Sequence, residues 1–211
     1  MKLFIGICNS QDFVPAGFFW SFIKINIAHQ AVAVRSDHPW DVVRNNMMIS
    51  HFLKSDCTIF AKMDIDQEYP SDYFDRLVPL VEKYKVAGPI IYDRWESNSY
   101  MPLAFDKVNE KMFPTRVMQL SGLNGVVEVP YPHTNLLYHR EVLEKVTPPW
   151  YQAYLTPDGL SRMNHVDYSF IKKIHEAGYK VMIDLDCEVK HMTVKFVGKE
   201  YANSRDYNII L

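Results

Sequence analysis

Short apolar runs alternate along this chain with stretches whose apolar residues recur at helical spacing, and that alternation predicts its elements. Lys2 to Cys8 reads as a buried strand, and Pro15 stands near the start of a helix, Ala16 to Ala28, where its missing N–H costs nothing. Ala31 to Val34 is a second strand, closed by the turn-like Ser36-Asp37-His38-Pro39. From Trp40 to Lys54 the apolar positions Trp40, Val43, Met47, Met48 and Phe52 keep a helical period. A third run, Thr58 to Met63, ends in Asp64, with Asp66, Glu68 and then Pro70 after it. Helix Ser71 to Tyr84 and strand Val86 to Tyr92 complete a β-α-β-α-β-α-β series. Such a series implies an α/β fold with a mostly parallel sheet, helices on both faces and right-handed crossovers.

Beyond Tyr92 the pattern loosens. Asp93 to Pro130 holds short mixed segments expected to form a smaller flanking sheet. Leu136-Leu137-Tyr138 reads as a strand, Arg140 to Val146 as a short helix, and Pro148 to Asp158 as an aromatic loop. The best-defined later element is Asn164 to Tyr179, where Val166, Phe170, Ile171, Ile174 and Ala177 form one stripe opposite Lys172, Lys173 and Glu176. Gly178 is its expected C-terminal cap. Asn164 as N-cap with Asp167 three residues on would make a capping box that needs no catalysis. Lys180 to Asp186 is a last strand, leading into Cys187 to Met192.

At 211 residues, with no repeat and no linker, the chain fits a single domain. Its 23 basic residues against 25 acidic ones exclude an electrostatic nucleic-acid binder, although a local basic groove stays open. Phe13 to Ala33 is aromatic but interrupted by Pro15, Lys24, Asn26, His29 and Gln30, so it is not a membrane span. Cys8, Cys57 and Cys187 are odd in number and widely spaced, which suits free core thiols in a reducing compartment such as the cytoplasm. The apolar ending Asn208-Ile209-Ile210-Leu211 is read either as packing on the domain or as a cut from a longer polypeptide with further domains.

The candidate chemistry lies where the third strand runs out. In an extended chain residues i and i+2 share a face, so Asp64 and Asp66 are expected to present their oxygens to one point. Two carboxylates that close repel unless a cation sits between them, and their oxygens suit a hard ion such as Mg2+ or Mn2+. Asp-x-Asp also arises in ordinary turns, so context has to decide. An EF-hand loop starting at Asp64 is excluded, because Tyr69 and Asp75 stand where Gly and Glu are needed.

Taken together, several motifs resemble the GT-A family of nucleotide-sugar glycosyltransferases. They are Arg44-Asn45 on the second helix, Asp64-Ile65-Asp66, the helix start His165-Val166-Asp167-Tyr168-Ser169-Phe170, the helix end Glu176-Ala177-Gly178-Tyr179-Lys180, and His191. Within that family the chain looks like chlorovirus enzymes that build the glycan of the major capsid protein. The resemblance implies a nucleotide-binding half at about residues 1–92 and an acceptor-binding half at about 93–211.

It also implies roles. Asp66 and His191 would hold Mn2+ (or Mg2+) against the diphosphate of a UDP-sugar, with Asp64 touching the metal shell or the ribose. Asp12, Asp37 and Arg44 would grip uracil and ribose, and Lys195 and Lys199 would fold over the diphosphate. Asp167 would take the proton of an attacking hydroxyl on a glycan or glycoprotein acceptor. Val166 replaces the Glu of the usual Glu-Asp pair, which leaves inversion or retention open. Trp95, Trp150, Tyr151 and Tyr154 are read either as sugar-stacking surfaces or as core. Two other readings stand beside this one. A haloacid-dehalogenase-like phosphohydrolase would use Asp64 as nucleophile and Asp66 as acid/base, with Asp184 and Asp186 as a second acidic site. A non-catalytic module would bind a nucleotide sugar or glycan without transferring it.

Overall fold

The computed structural model describes residues 1–93, 101–133 and 135–192. Trp95, Lys195, Lys199 and Asn208 to Leu211 therefore lie outside the described residues. The first half runs β1 (Lys2–Cys8), α1 (Ala16–Phe22), β2 (Gln30–Ser36), α2 (Asp41–Lys54), β3 (Ile59–Asp64), β4 (Gln67–Glu68), α3 (Tyr73–Tyr84) and β5 (Val86–Ile91). Then come β6 (Ala104–Val108), β7 (Pro114–Val117), β8 (Val126–Glu128), β9 (Tyr131–Pro132) and β10 (Leu137–His139). The chain closes with α4 (Arg140–Lys145), α5 (Val166–Glu176) and β11 (Met182–His191).

The main sheet has the order β2-β1-β3-β10-β5-β11-β4, with β8 added on β11. β1 lies parallel to β2 and β3, and β5 lies parallel to β11. Between these parallel blocks β10 runs antiparallel to both β3 and β5. Side-chain pattern alone marks a strand as buried on both faces but does not name its neighbours, so this insertion was not foreseen. The expected flanking sheet is present as β7-β6-β9.

Alternation along the strands divides the core into two layers. Phe4 and Phe60 join Met48, Ile49 and Phe52 of α2 and Phe170, Ile171 and Ile174 of α5 on one face. Ile5, Ala61 and Met63 join Tyr73, Phe74, Leu77, Val78 and Val81 of α3 on the other. β1 and β3 thus have helices packed on both faces, which fixes the loops that leave their ends.

Three boundaries differ from expectation for local reasons. α1 stops at Phe22 rather than Ala28, because the chain turns to dock on the start of α3, where the Asn26 N–H donates to the Ser71 carbonyl at 2.7 Å. β11 continues past Asp186 through a register shift between Asp184 and Glu188, which carries His191 to the end of the strand. α5 starts at Val166 with His165 as its N-cap, and the capping box between Asn164 and Asp167 is absent. Asn164 instead accepts from the Tyr154 N–H at 2.7 Å and donates to the Gln152 carbonyl and Ser169 Oγ. At the other end of α5 the expected cap forms, with Gly178 at φ +89° and its N–H bonded to the His175 carbonyl.

Candidate active site

The carboxyl ends of β1 and β3 open into a cleft of about 320 Å3, whose walls include Cys8, Arg44, Lys62, Asp64, Asp66 and Asp167. β3 brings Lys62 and Asp64 to one face by its two-residue period. Lys62 is buried in the strand, yet its ammonium is fully provided for. It donates to both oxygens of Asp64, at 2.9 and 2.7 Å, and to Oδ1 of Asn135 at 3.0 Å. Burial alone would lower its pKa, but the carboxylate of Asp64 outweighs this and holds it above the ordinary lysine value. Sequence reasoning passed over Lys62. The signal was available: a lysine inside an apolar strand, two residues before an aspartate.

Asp64 and Asp66 both line the cleft, but not as two residues of one extended strand. The strand ends at Asp64 and the chain turns at Ile65 and Asp66 into β4. Asp64 consequently faces Lys62, while Oδ2 of Asp66 lies 3.5 Å from Nε2 of His191. The pairing of β11 with β4 sets His191 opposite Gln67 and so delivers the imidazole to Asp66. Nδ1 of His191 lies 3.2 Å from the Tyr92 carbonyl. Among the described residues no three His, Cys, Asp or Glu side chains gather at one point, so Asp64, Asp66 and His191 form no joint cluster.

Arg44 sits in the cleft wall on α2, where it donates to the His38 carbonyl at 3.1 Å. Its buried Nε has no hydrogen-bond partner among the described residues. Asp12 and Asp37 are exposed and stay out of the cleft walls. Ser10, Gln11 and Asp41 take those positions. Asp41 is held by both terminal nitrogens of Arg162, at 2.6 and 2.9 Å, which straps the loop before α5 onto the start of α2. That partner lowers the Asp41 carboxyl pKa against the opposing effect of burial.

Asp167 stands in the wall of a second pocket as well, of about 560 Å3. Leu103, Phe105, Phe113 and Tyr168 give that pocket apolar faces, between which Asp93, Arg116, His133, His165 and His191 are set. Nδ1 of His133 and of His165 is buried without a hydrogen-bond partner among the described residues. Burial pushes the His133 pKa down to about 4, with the Lys62 charge acting in the same direction. Burial also lowers that of His165, which Asp167, 3.9 Å away, partly offsets.

Several other candidates prove structural. Trp150 is buried and donates from Nε1 to the Leu143 carbonyl, and Tyr151 lies in the core. Tyr154 is exposed and borders a separate surface groove with Lys172 and Lys173. The three cysteines are free and buried, and burial raises the Cys8 thiol to about 11. Asp184 is clamped by Arg76 at 2.9 and 3.0 Å, with Asp186 3.8 Å from the same guanidinium, so the second acidic site is an ion-pair network away from the cleft.

No protein-family model matches this sequence, and no curated protein matches it. Solved structures do share its fold. "A197 from STIV" superposes with a TM-score of 0.59 at 14% identity, over 92% of this chain and 87% of that one. "GalNAc-T7 with UDP, GalNAc and Mn2+" gives 0.62 at 13% identity, over 92% of this chain and 43% of that one. "S. aureus TarS 1-349 in complex with UDP-GlcNAc" gives 0.53 at 10% identity, over 97% and 61%. The chain thus spans less than half of GalNAc-T7 and about three fifths of that TarS chain. At such identities the likeness establishes the fold: a GT-A-like α/β domain, the architecture of nucleotide-sugar glycosyltransferases.

Proposed function

We propose that this chain is a metal-dependent glycosyltransferase that moves a sugar from a UDP-sugar to a hydroxyl of a glycan. The observation that carries the reading is Asp167, which stands in the walls of both the charged cleft and the apolar pocket. A carboxylate between a donor site and an acceptor site is where an attacking hydroxyl has to lose its proton.

The residues present fit a divalent ion. The Tyr92 carbonyl accepts from Nδ1 of His191, which leaves the Nε2 lone pair turned toward Asp66. An imidazole nitrogen and a carboxylate oxygen 3.5 Å apart are two donor atoms that one divalent ion could share. Asp66 and His191 would hold Mn2+ or Mg2+, leaving further positions for diphosphate oxygens and water. Bound there, the ion neutralises the charge that grows on the leaving diphosphate. Arg44 offers a second positive group in the wall, and Asp64 accepts hydrogen bonds from the donor. Asp167 takes the acceptor proton, and the apolar pocket orients the acceptor sugar. A protein-linked glycan of the viral capsid kind is the acceptor class suggested by the sequence resemblance.

The phosphohydrolase alternative loses ground here, because its second acidic pair, Asp184 and Asp186, is engaged by Arg76 and takes no part in the cleft wall. Thermal unfolding with UDP, GDP, CDP or phosphate, each with Mn2+ or chelator, tests the donor site. Ligand at about 100 times its dissociation constant adds roughly 2.7 kcal/mol and raises the midpoint by about 5 to 10 °C. A shift specific to UDP with Mn2+, together with release of UDP from a UDP-sugar, is expected. Stabilisation by phosphate and Mg2+ alone would remove the proposal, and UDP binding without turnover would leave a non-catalytic module.

A further inference from the structure

Lys62 is a charged residue placed where a folded chain gains least from one. A lysine is almost never fully buried unless paired, and a buried ion pair is seldom more stabilising than apolar side chains of similar size. On the same face of β3, two residues earlier, Phe60 is a core residue, so an apolar side chain would suit this position of the strand. The ammonium nevertheless occupies this position, and its three protons go to the two oxygens of Asp64 and to Oδ1 of Asn135. With all three donors used, Lys62 has none left for a ligand.

Asp64 is held from the other side too. Its N–H donates to the Tyr69 hydroxyl at 2.9 Å, and that hydroxyl lies 3.1 Å from the Asp64 carbonyl. Asn135 donates to Tyr69 and to Gln67. Side chain and main chain of Asp64 are thereby locked by β3, by the β4 segment and by the residues before β10. A carboxylate has about four lone-pair sites, so Asp64 keeps two with which to accept hydroxyls in the cleft.

We infer that Lys62 is a positioning residue that acts through Asp64. It withdraws this carboxylate from metal binding and fixes it as an acceptor for the ribose hydroxyls of the nucleotide, while Asp66 and His191 keep the ion. The two carboxylates of Asp-x-Asp thus serve two different cations, one resident and one brought by the donor. This inference rests on the glycosyltransferase reading above.

The test is a double-mutant cycle of wild type, Lys62→Met, Asp64→Asn and the double variant. Calorimetry with Mn2+ present compares UDP with 2′,3′-dideoxy-UDP, and electron paramagnetic resonance follows Mn2+ alone. Wild type is expected to prefer UDP by about tenfold or more, the scale of hydrogen bonds to a charged group. All three variants are expected to lose that preference to the same degree, with Mn2+ affinity unchanged within about twofold. A role in packing alone would leave the preference intact. Losses that multiply between the two positions, or a Lys62→Met protein that still discriminates, overturn the inference. So does a Lys62→Met protein that has lost Mn2+ affinity along with UDP.

Should Lys62→Met fail to fold, the same substitution in the Asp64→Asn background, where no carboxylate is stranded, carries the test. A further loss of preference there refutes action through Asp64. Failure of wild type to bind UDP at all would instead refute the glycosyltransferase reading itself.

Discussion

The two sides of Asp167 are built on opposite plans. In the cleft, charged groups are held by other charged groups: Asp64 by Lys62, and Asp41 by Arg162. In the pocket apolar side chains such as Leu103, Phe105 and Phe113 stand among Asp93, Arg116 and His191, and two buried imidazole nitrogens have no hydrogen-bond partner among the described residues. Fixed charges cost nothing to reorganise when a charged ligand reacts beside them, so the cleft suits a nucleoside diphosphate. Apolar faces interleaved with polar groups suit a ligand with hydroxyls and a hydrophobic face, as a sugar has. The difference lets each side be damaged separately.

Asp167→Asn is expected to do the greatest harm. It removes the proposed base and keeps the shape, so turnover should fall by about 100- to 10,000-fold while UDP affinity stays within about twofold. Parallel loss of UDP affinity would show that Asp167 belongs to the cleft alone. Next comes Asp66→Asn, which leaves His191 as the lone protein donor to the ion. Mn2+ affinity should drop by roughly 100-fold, the upper end of what even an outer-shell partner is worth. Unchanged Mn2+ binding by paramagnetic resonance would detach the ion from this pair.

What could be read in the sequence follows the same divide. Periodicity located β1, β3, α3 and α5, and the Gly178 cap, because each is set by residues within one or two turns or strands. Asp66 and His191 could be considered together only through the family resemblance, since 125 positions separate them and it is the pairing of β11 with β4 that brings them near each other. The extended period that related Asp64 to Asp66 stops at Asp64, where the chain enters a turn. Lys62 was overlooked because the apolar run was read for its hydrophobic members. The pocket was invisible, because His133 and His165 come together with Phe105 and Phe113 only once the small sheet folds over α5. Asp12 and Asp37 illustrate the reverse error: acidic residues near strand ends that solvent alone explains.

Acid should weaken the fold through the pocket. His133 is pushed down to about 4 in the folded chain and titrates near 6.5 when unfolded, so the unfolded state binds the extra proton first. Its contribution is complete above pH 6.5 and disappears as pH falls from there toward about 4. At pH 5 the loss is on the order of 2 kcal/mol, and a His133→Gln protein should lack it. Urea midpoints at pH 7.5 and 5 compare the two, and equal pH dependence would show that the imidazole is not held neutral.

The gentlest change probes the pocket surface itself. Phe113 is partly exposed in the pocket wall, its ring edge-on to His165 with centroids 6.1 Å apart. Aromatic faces gain about 0.5 to 1.5 kcal/mol from well-placed ring contacts beyond the area they cover. If a sugar lies on this ring, Phe113→Ala should raise the acceptor KM by roughly 2- to 12-fold. The donor KM should stay as it is, since Phe113 takes no part in the cleft wall. A donor effect would mean that the two cavities communicate through more than Asp167, and the separation argued from their opposite linings would fail at its boundary.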